Sequence, residues 1–176
     1  MFSMKKILLF LVIFTMLLST ASVFAQEDKF ARPSPPAVAS ETITNGNKIT
    51  INYSQPALKG RTIGKDIVPY DLVWRTGANE ATTFEITKDA QIQKKFALKA
   101  GKYSLYTIPG EKNWTIIFNK KWNQWGTVYN ESEDALRVIV PAAKSSTFTE
   151  RMTFTIAKDG LINLVWGDTK VAFSVN

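Results

Sequence analysis

The sequence predicts an all-β fold, namely a jelly-roll-like antiparallel β-sandwich of about ten strands with at most one or two short helical turns. One observation is spacing, because short segments rich in β-branched and aromatic residues recur with turn signals roughly every eight to twelve residues. The other is alternation. Most of these segments alternate apolar and polar side chains, which is typical of antiparallel sheets with one wet face.

The start of the chain, residues 1–25, is predicted to be a cleaved signal peptide and not part of the fold. Lys5 and Lys6 precede an apolar run at 7–18. Val-Phe-Ala at 23–25 is a typical small-residue cleavage site. A retained membrane anchor is the alternative, but the run is shorter than the roughly 20 residues of a membrane span. The sequence therefore predicts export to the periplasm or the exterior, without stable membrane insertion after cleavage.

The chain contains no His and no Cys, and this restricts its chemistry. Without His, the Ser-His-Asp triad, the Cys-His pair and His-ligated metal sites are excluded. Without Cys, there is no disulfide, no thiol nucleophile, no Cys-ligated metal and no lipid-modified cysteine at the cleavage site. The sequence thus predicts no metal, no cofactor and no lipoprotein anchor. Any catalysis would use carboxylates, Lys, Tyr, or Ser with Lys.

The formal net charge is +7, and loss of Lys5 and Lys6 with the signal peptide would lower it by two. A moderately basic protein attracts anionic partners such as lipid headgroups or acidic glycans. Lysines dispersed over solvated strand faces explain the charge equally well. The sequence has no block of like charges, so nucleic acid is not predicted as a partner. The pattern does not determine the oligomeric state.

The mature chain is predicted to hold one domain, 40–176, preceded by an extended lead-in at 26–39. Three prolines lie within 33–36, and proline fixes φ near about −65° while keeping its predecessor out of the helical region. The lead-in is therefore either a stiff linker or a strap that lies across the domain. Asn-Gly at 45–46, between alternating runs that include 48–54, predicts a β-hairpin as the first element of the domain.

The remaining strands are predicted from the same signals. Alternation bounded by Gly, Pro or Asp turns places them at 71–74, 82–86, 90–93, 103–108, 113–119, 136–140, 148–157, 161–166 and 170–175. In the segment 120–126, Trp122 and Trp125 are three positions apart, which predicts one helical turn ended by Gly126. The two tryptophans either close one end of the sandwich or stack on a sugar.

The densest group of polar side chains lies at 75–80, which is predicted to join two strands as a hairpin. A structural interpretation pairs Arg75 with Glu80 or Asp71. In that interpretation Asn79 bonds to the backbone of its own loop, as turn residues do. This interpretation explains the run without a ligand.

A binding interpretation uses the same run together with cations and aromatic residues elsewhere in the chain. Arginine suits a carboxylate or phosphate, and amide and aromatic side chains suit a sugar. The predicted ligand-binding residues are Tyr53, Lys59, Arg61, Arg75, Asn79, Glu80 and Trp125. The favoured function is therefore binding of a small anion or a glycan. A hydrolase that uses two carboxylates from Asp71, Glu80 and Glu85 is a further alternative, but no catalytic residue is assigned.

The order of short motifs adds a family resemblance. The motifs are Ser34-Pro35-Pro36-Ala37, Tyr53-Ser54-Gln55-Pro56, Lys59-Gly60-Arg61, Val68-Pro69-Tyr70, the run Val73 to Thr82, Ala100-Gly101-Lys102-Tyr103-Ser104-Leu105, Ile108-Pro109-Gly110 and Trp125-Gly126. Together they resemble domain of unknown function 2911, a family of small exported bacterial proteins. The resemblance implies a place in the bacterial envelope and no particular activity. The family pattern usually has Arg where this chain has Gln55, and Gly where it has Asp71.

Overall fold

The structure is a computed structural model that describes residues 28–176. The predicted signal peptide and its cleavage site lie outside the described residues. The described chain forms eleven β-strands and two short 3₁₀ turns, which confirms the all-β prediction. Within 28–176 no helix has the length and apolarity that crossing a membrane requires.

The strand bounds show how closely the elements follow the sequence pattern. The strands are β1 Pro36–Thr42, β2 Lys48–Ser54, β3 Ile63–Gly64, β4 Ile67–Pro69, β5 Thr83–Ile86, β6 Ala90–Ile92, β7 Phe96–Leu98, β8 Gly101–Ile108, β9 Asn113–Asn119, β10 Asp134–Ile156 and β11 Leu161–Ser174. The 3₁₀ turns are Lys29–Ala31 and Glu131–Glu133. The Asn45-Gly46 hairpin is confirmed, because β1 and β2 pair antiparallel from Thr42 and Lys48 onward.

Seven strands form one antiparallel sheet in the order β1-β2-β5-β8-β9-β10-β11, and β3-β4 and β6-β7 form two small additional sheets. β10 is 23 residues long and pairs first with β9 and then with β11. Its register against β11 shifts between Lys144 and Thr149, and again before Thr153. Such irregularities bend a strand and increase its twist. A bridge between Ala57 and Arg151 joins the segment after β2 to β10, so the sheet curls back on itself.

The core is one cluster of apolar side chains inside this curl. The inward positions of the strands are occupied by Ile, Phe, Leu and Val, as the alternation predicts. Phe84 and Phe118 pack edge to face with their ring centroids 5.0 Å apart. Trp74 stacks on Trp166 at 5.4 Å with an interplanar angle of 11°. Because the chain has no cysteine, this aromatic packing and the hydrogen-bonded ladders hold the domain together.

The residues before β1 cross the domain as a strap, a name used below for residues 28–35. Asn79 Nδ2 donates to the Ser34 carbonyl at 3.0 Å, and Arg151 Nη1 donates to the Pro33 carbonyl at 3.0 Å. The Gln55 amide donates to the Pro35 carbonyl at 2.9 Å. Proline has no amide hydrogen, but its carbonyl is a free acceptor. These contacts are those of a strap and not of a free linker.

The predicted hairpin around 75–80 is wrong, because residues 71–74 form no strand. Trp74 instead exchanges two backbone hydrogen bonds with Thr107 of β8, at 2.7 and 2.9 Å. The Leu105 amide donates to the Thr82 carbonyl at 2.7 Å. Both ends of the polar run therefore lie along β8 and not along each other. A period-two pattern marks a half-buried extended segment, but it does not identify the strand that the segment pairs with.

The helical turn predicted at 120–126 is also wrong. This segment consists of bends and the start of a turn, and Trp125 forms an antiparallel bridge with Glu80. The Ala81 amide donates to the Gln124 carbonyl at 3.1 Å, and the Gly126 amide donates to the Asn79 carbonyl at 3.0 Å. The polar run thus satisfies the backbone groups of the tryptophan segment, and a helical turn would leave them unpaired.

Candidate functional site

Arg75 projects into a cleft of about 210 Å³, called cleft A. The cleft is lined by Val73, Trp74, Arg75, Tyr106, Gly126, Thr127 and Tyr129. Three chain segments that are far apart in sequence contribute to it: the start of the polar run, the middle of β8 and the loop before β10. Among the described residues, no acidic side chain lines cleft A, so the guanidinium gives it a positive charge.

The guanidinium of Arg75 is only partly used by the protein. Its Nε donates to the Gly77 carbonyl at 3.3 Å. Its two terminal nitrogens form no hydrogen bond within residues 28–176, and no carboxylate oxygen of these residues lies within 4.0 Å. A guanidinium has five N–H donors in a planar fork. The donors that match a carboxylate or phosphate are therefore available in the half-buried cleft.

The backbone beside Arg75 is strained. Thr76 has a positive φ of 51°, which is unfavourable for a β-branched residue and costs on the order of 1–3 kcal/mol. Its hydroxyl donates to Thr107 Oγ1 at 3.1 Å, and its carbonyl accepts from Thr82 Oγ1 at 2.8 Å. These buried contacts hold the left-handed conformation. They also fix the direction in which the chain presents Arg75.

Two glycines leave the space that this arrangement needs. A Cβ atom on Gly126 would lie 2.5 Å from Arg75 Cδ and 2.8 Å from the Asn79 carbonyl oxygen. A Cβ atom on Gly77 would lie 2.8 Å from Thr82 Oγ1. Real Cβ atoms essentially never approach another heavy atom to within 3.0 Å. The Arg75 stem can therefore cross the tryptophan segment only because residue 126 has no side chain.

The aromatic wall of cleft A is held rigidly. Tyr106 and Tyr129 pack with their ring centroids 4.9 Å apart. The Tyr106 hydroxyl donates to the Val128 carbonyl and accepts from Gln124 Nε2 at 3.0 Å. Gln124 Nε2 also donates to the Val128 carbonyl at 2.7 Å. The loop that carries Tyr129 is thereby tied to β8.

Tyr129 is further positioned by a buried carboxylate. Its hydroxyl donates to Asp134 Oδ2 at 2.6 Å, and Arg137 Nε donates to the same oxygen at 2.7 Å. Asn119 Nδ2 donates to Asp134 Oδ1 at 2.8 Å. Burial and the neighbouring Asp134 raise the pKa of Tyr129 to about 12. The phenol therefore stays neutral and adds no negative charge to the cleft.

The structure brings Tyr53 and Glu80 together on the lining of one pocket beside the strap, but it does not gather the seven predicted site residues into one site. Tyr53 belongs to the core, where it is 7% exposed and its hydroxyl accepts from the Phe154 amide at 3.1 Å. Burial raises the pKa of Tyr53. Lys59 and Arg61 lie on a different loop, and Arg61 borders a second cleft. Trp125 is 49% exposed and contacts the polar run through its backbone, but it is not part of the lining of cleft A.

Asn79 and Glu80 hold the strap. Asn79 Nδ2 donates to the Ser34 carbonyl and also to Ser54 Oγ at 3.3 Å. Glu80 accepts from Lys29 Nζ at 2.7 Å and from Arg32 Nη1 at 3.0 and 3.2 Å. The predicted Arg75–Glu80 pair is therefore wrong, and so is the predicted bond between Asn79 and its own loop. The strap brings cations to Glu80 from about fifty positions away in the chain.

The residues that sequence reasoning missed are Tyr106 and Tyr129. Neither belongs to a polar motif, and Tyr106 looks like an ordinary core residue of β8. The one available signal was the motif Trp125-Gly126. It marks the place where the segment carrying the aromatic wall crosses the stem of Arg75.

The strap should be held less tightly in acid, because its ion pairs with Glu80 are lost when the carboxylate is protonated. The hydrogen bond from Lys29 lowers the pKa of Glu80 from 4.5 to about 2. A lowered pKa means that the stabilisation is complete above about pH 4.5 and is lost as the pH falls towards about 2. Because the carboxylate is 41% exposed and screened by water, we expect Glu80→Gln to cost only about 1 kcal/mol at neutral pH.

Unfolding of the wild type and of Glu80→Gln as a function of pH tests this expectation. The difference in their free energies of unfolding should shrink as the pH falls towards the pKa of Glu80. At neutral pH, trypsin should cut faster after Lys29 in the variant. The matched control is Asp89→Asn, which removes a carboxylate paired with Lys99 at 2.8 Å and not with any residue of the strap. Equal cleavage after Lys29 in both variants would contradict the assignment.

The fold and cleft A define the chain as an all-β protein in which a curled antiparallel sheet carries an arginine beside an aromatic wall. Residues 28–176 contain no group of three acidic, His or Cys side chains that could hold a metal ion.

A family model described as protein of unknown function (DUF2911) matches residues 34–175. The chain belongs to this family, and the resemblance drawn from the motifs is confirmed. A comparison with curated proteins and one with solved structures each find no match.

Proposed function

We propose that the protein is an exported binding module of the bacterial envelope that takes a small anionic ligand in cleft A. The observation that carries the proposal is the partly buried guanidinium of Arg75, whose terminal nitrogens have no partner among the described residues. The shared chemistry of the ligand is a carboxylate, phosphate or sulfate group. Such a group can accept two parallel hydrogen bonds from the arginine fork.

The walls of the cleft favour a ligand that also has an apolar face, such as an acidic sugar. Trp74 and Tyr129 line the cleft beside the cation with the buried ring of Tyr106 behind them, and aromatic rings pack well against the apolar side of a sugar. The volume of about 210 Å³ lies below the usual range of about 300–1,000 Å³ for drug-sized ligands. One small acidic unit fits this space better than a long chain.

The site is also arranged before any ligand arrives. Thr76 is held in a strained conformation, Gly126 leaves room for the arginine stem, and Asp134 holds Tyr129 in place. Strain that is maintained by surrounding contacts is characteristic of ligand-binding positions. Binding then orders few additional side chains, which is favourable for affinity.

The two alternatives have less support. The structural interpretation paired Arg75 with Glu80 or Asp71, and among the described residues neither carboxylate forms an ion pair with it. A hydrolase needs a carboxylic acid with a raised pKa, whereas the pKa of Glu80 is lowered to about 2 by Lys29. Glu85 is paired with Lys102. The export component rests on the predicted signal peptide at 1–25.

Replacing Arg75 with Ala should weaken the binding of an acidic sugar by about ten- to a hundredfold, because charge-assisted hydrogen bonds contribute about 1.5–3 kcal/mol. The measurement is isothermal titration with D-glucuronate, and with D-glucose as the uncharged counterpart. Wild-type protein should prefer glucuronate, and inorganic phosphate should compete with it. Arg75→Lys should bind with intermediate affinity because it keeps the charge but loses the fork.

The matched control is Lys112→Ala, which removes one exposed cation outside cleft A. It should bind glucuronate as the wild type does. An equal loss of glucuronate affinity in Lys112→Ala and Arg75→Ala would mean that binding depends on the net charge of the protein and not on cleft A. Undiminished binding in a folded Arg75→Ala variant would refute the proposal.

A further inference from the structure

A second and larger cleft, called cleft B, lies beside the loop that carries Arg61. Its volume is about 430 Å³. The lining residues that matter here are Arg61, Thr62, Tyr70, Phe148, Asp168 and Thr169. They come from the loop between β2 and β3, from the residue after β4, from β10 and from β11. Cleft B shares no lining residue with cleft A.

Exposed aromatic rings are the first unusual feature of cleft B. Phe148 is 64% exposed and Tyr70 is 37% exposed, although burial of each ring would be favourable. The floor is Trp166, which is fully buried and donates from Nε1 to the Glu150 carbonyl at 3.2 Å. The cleft therefore offers ring surface at its rim, above a base of buried aromatic packing.

The Tyr70 ring is held in place by the backbone below it. A Cβ atom on Gly64 would lie 2.2 to 2.6 Å from three carbon atoms of the Tyr70 ring, and Gly64 has a positive φ of 83°. Val68, two residues before the tyrosine, is buried and has a positive φ of 52°. A β-branched residue in this conformation is a genuine outlier. The chain is thus strained at the position that directs Tyr70 to the cleft, as it is at Thr76 beside Arg75.

Phe148 is presented by an irregular part of β10. It lies between Lys144 and Thr149, where the register against β11 shifts. Bulges of this kind redirect side chains and are over-represented beside binding sites. Opposite this point, a Cβ atom on Gly167 would lie 2.8 Å from Leu58 Cδ1 and 3.8 Å from Phe148 Cε2. The absence of a side chain at 167 keeps the base of the cleft open.

The polar groups of cleft B carry both signs of charge. Arg61 is fixed because its Nε and Nη2 donate to the Leu58 and Ala57 carbonyls, each at 2.9 Å. Within residues 28–176, Asp168 forms no ion pair and no side-chain hydrogen bond. Thr62 and Thr169 add hydroxyl groups. This mixture of a fixed cation, an unpaired carboxylate and hydroxyls does not select for a charged ligand.

We infer that cleft B is a binding site for an uncharged sugar, separate from the anion site at Arg75. A pyranose presents C–H groups on one face, which pack on Phe148 and Tyr70, and hydroxyl groups around its edge. A carboxylate accepts from such hydroxyls and a guanidinium donates to them. Both charged groups are then satisfied by a ligand without charge, and the strain at Val68 has a role in holding the tyrosine against it.

The inference is tested by saturation-transfer NMR with the methyl pyranosides of glucose, galactose and mannose. At least one pyranoside should bind the wild type. Phe148→Ala and Asp168→Asn should each weaken that binding by about tenfold, the first through lost stacking and the second through a lost charge-assisted acceptor. Both side chains are exposed, so both variants should fold. Lys112→Ala is the matched control and should bind the pyranoside as the wild type does.

Three outcomes would overturn the inference. The first is that none of the pyranosides gives a signal with the wild type. The second is that Phe148→Ala and Asp168→Asn bind as well as the wild type, because the sugar would then lie elsewhere. The third is that the zwitterionic dipeptide Gly-Phe occupies the cleft and the pyranosides do not, which would identify the opposite charges as a peptide site.

Discussion

Replacement of Trp166 with Ala is expected to destabilise the protein by about 3–5 kcal/mol. Trp166 is fully buried in the middle of β11, and its ring stacks on Trp74 at 5.4 Å. Removing the ring leaves a large cavity, and it also removes one of the two donors to the Glu150 carbonyl, which keeps the hydrogen bond from the Leu58 amide. Chemical denaturation followed by the fluorescence of the remaining tryptophans measures the loss.

Trp166→Ala should also weaken ligand binding in both clefts, because each of the two stacked indoles forms part of one cleft. Trp74 lines cleft A and Trp166 lines cleft B. Trp166→Phe keeps an aromatic ring and removes mainly the N–H donor, so we expect a smaller loss of about 1–2 kcal/mol. Trp125→Ala, at a side chain that is 49% exposed, should cost clearly less than either. If Trp166→Ala unfolds at the same denaturant concentration as Trp125→Ala, the Trp74–Trp166 stack is not a main contributor to the stability of the core.

Replacement of Gly126 with Ala is expected to abolish anion binding in cleft A and to destabilise the fold by about 1–3 kcal/mol. The new Cβ atom would be placed 2.5 Å from Arg75 Cδ and 2.8 Å from the Asn79 carbonyl oxygen. The arginine stem can move, but the carbonyl accepts a hydrogen bond from the Gly126 amide and belongs to the loop backbone. Titration with D-glucuronate and thermal unfolding measure the two effects.

Gly60→Ala separates this steric effect from the ordinary cost of losing a glycine. Gly60 has a positive φ of 75°, but nothing lies within 4 Å of the position of its Cβ atom. The substitution should cost about 1–2 kcal/mol through its backbone conformation alone. It should leave binding in cleft A unchanged, because residue 60 is remote from the stem of Arg75. A Gly126→Ala variant that binds glucuronate like Gly60→Ala would show that Arg75 adapts without loss.

The two clefts share one construction. Each has a buried β-branched residue at positive φ close to a side chain that lines the cleft, namely Thr76 beside Arg75 and Val68 before Tyr70. In each, a glycine leaves room that a Cβ atom would fill. Backbone strain held by surrounding contacts beside each cleft supports the two binding proposals.

The all-β class, most of the strands and the Asn45-Gly46 hairpin were predictable from the sequence, because alternation and turn chemistry are local properties. The absence of His and Cys excluded whole classes of chemistry without any structure. The identification of 75–80 as a special run was also available, since its polar residues and its family motif are contiguous in the chain.

The partners of that run were decided only by the tertiary structure. Lys29 and Glu80 are 51 positions apart, and Asn79 and Ser34 are 45 apart. A periodic pattern shows which face of a segment is buried, but it carries no information about which distant segment covers it. Glu80 and Asn79 therefore bond to the strap and not to partners within their own loop. Arg75 was left in a cleft whose aromatic wall comes from β8 and from the loop before β10, which contact it because the sheet curls.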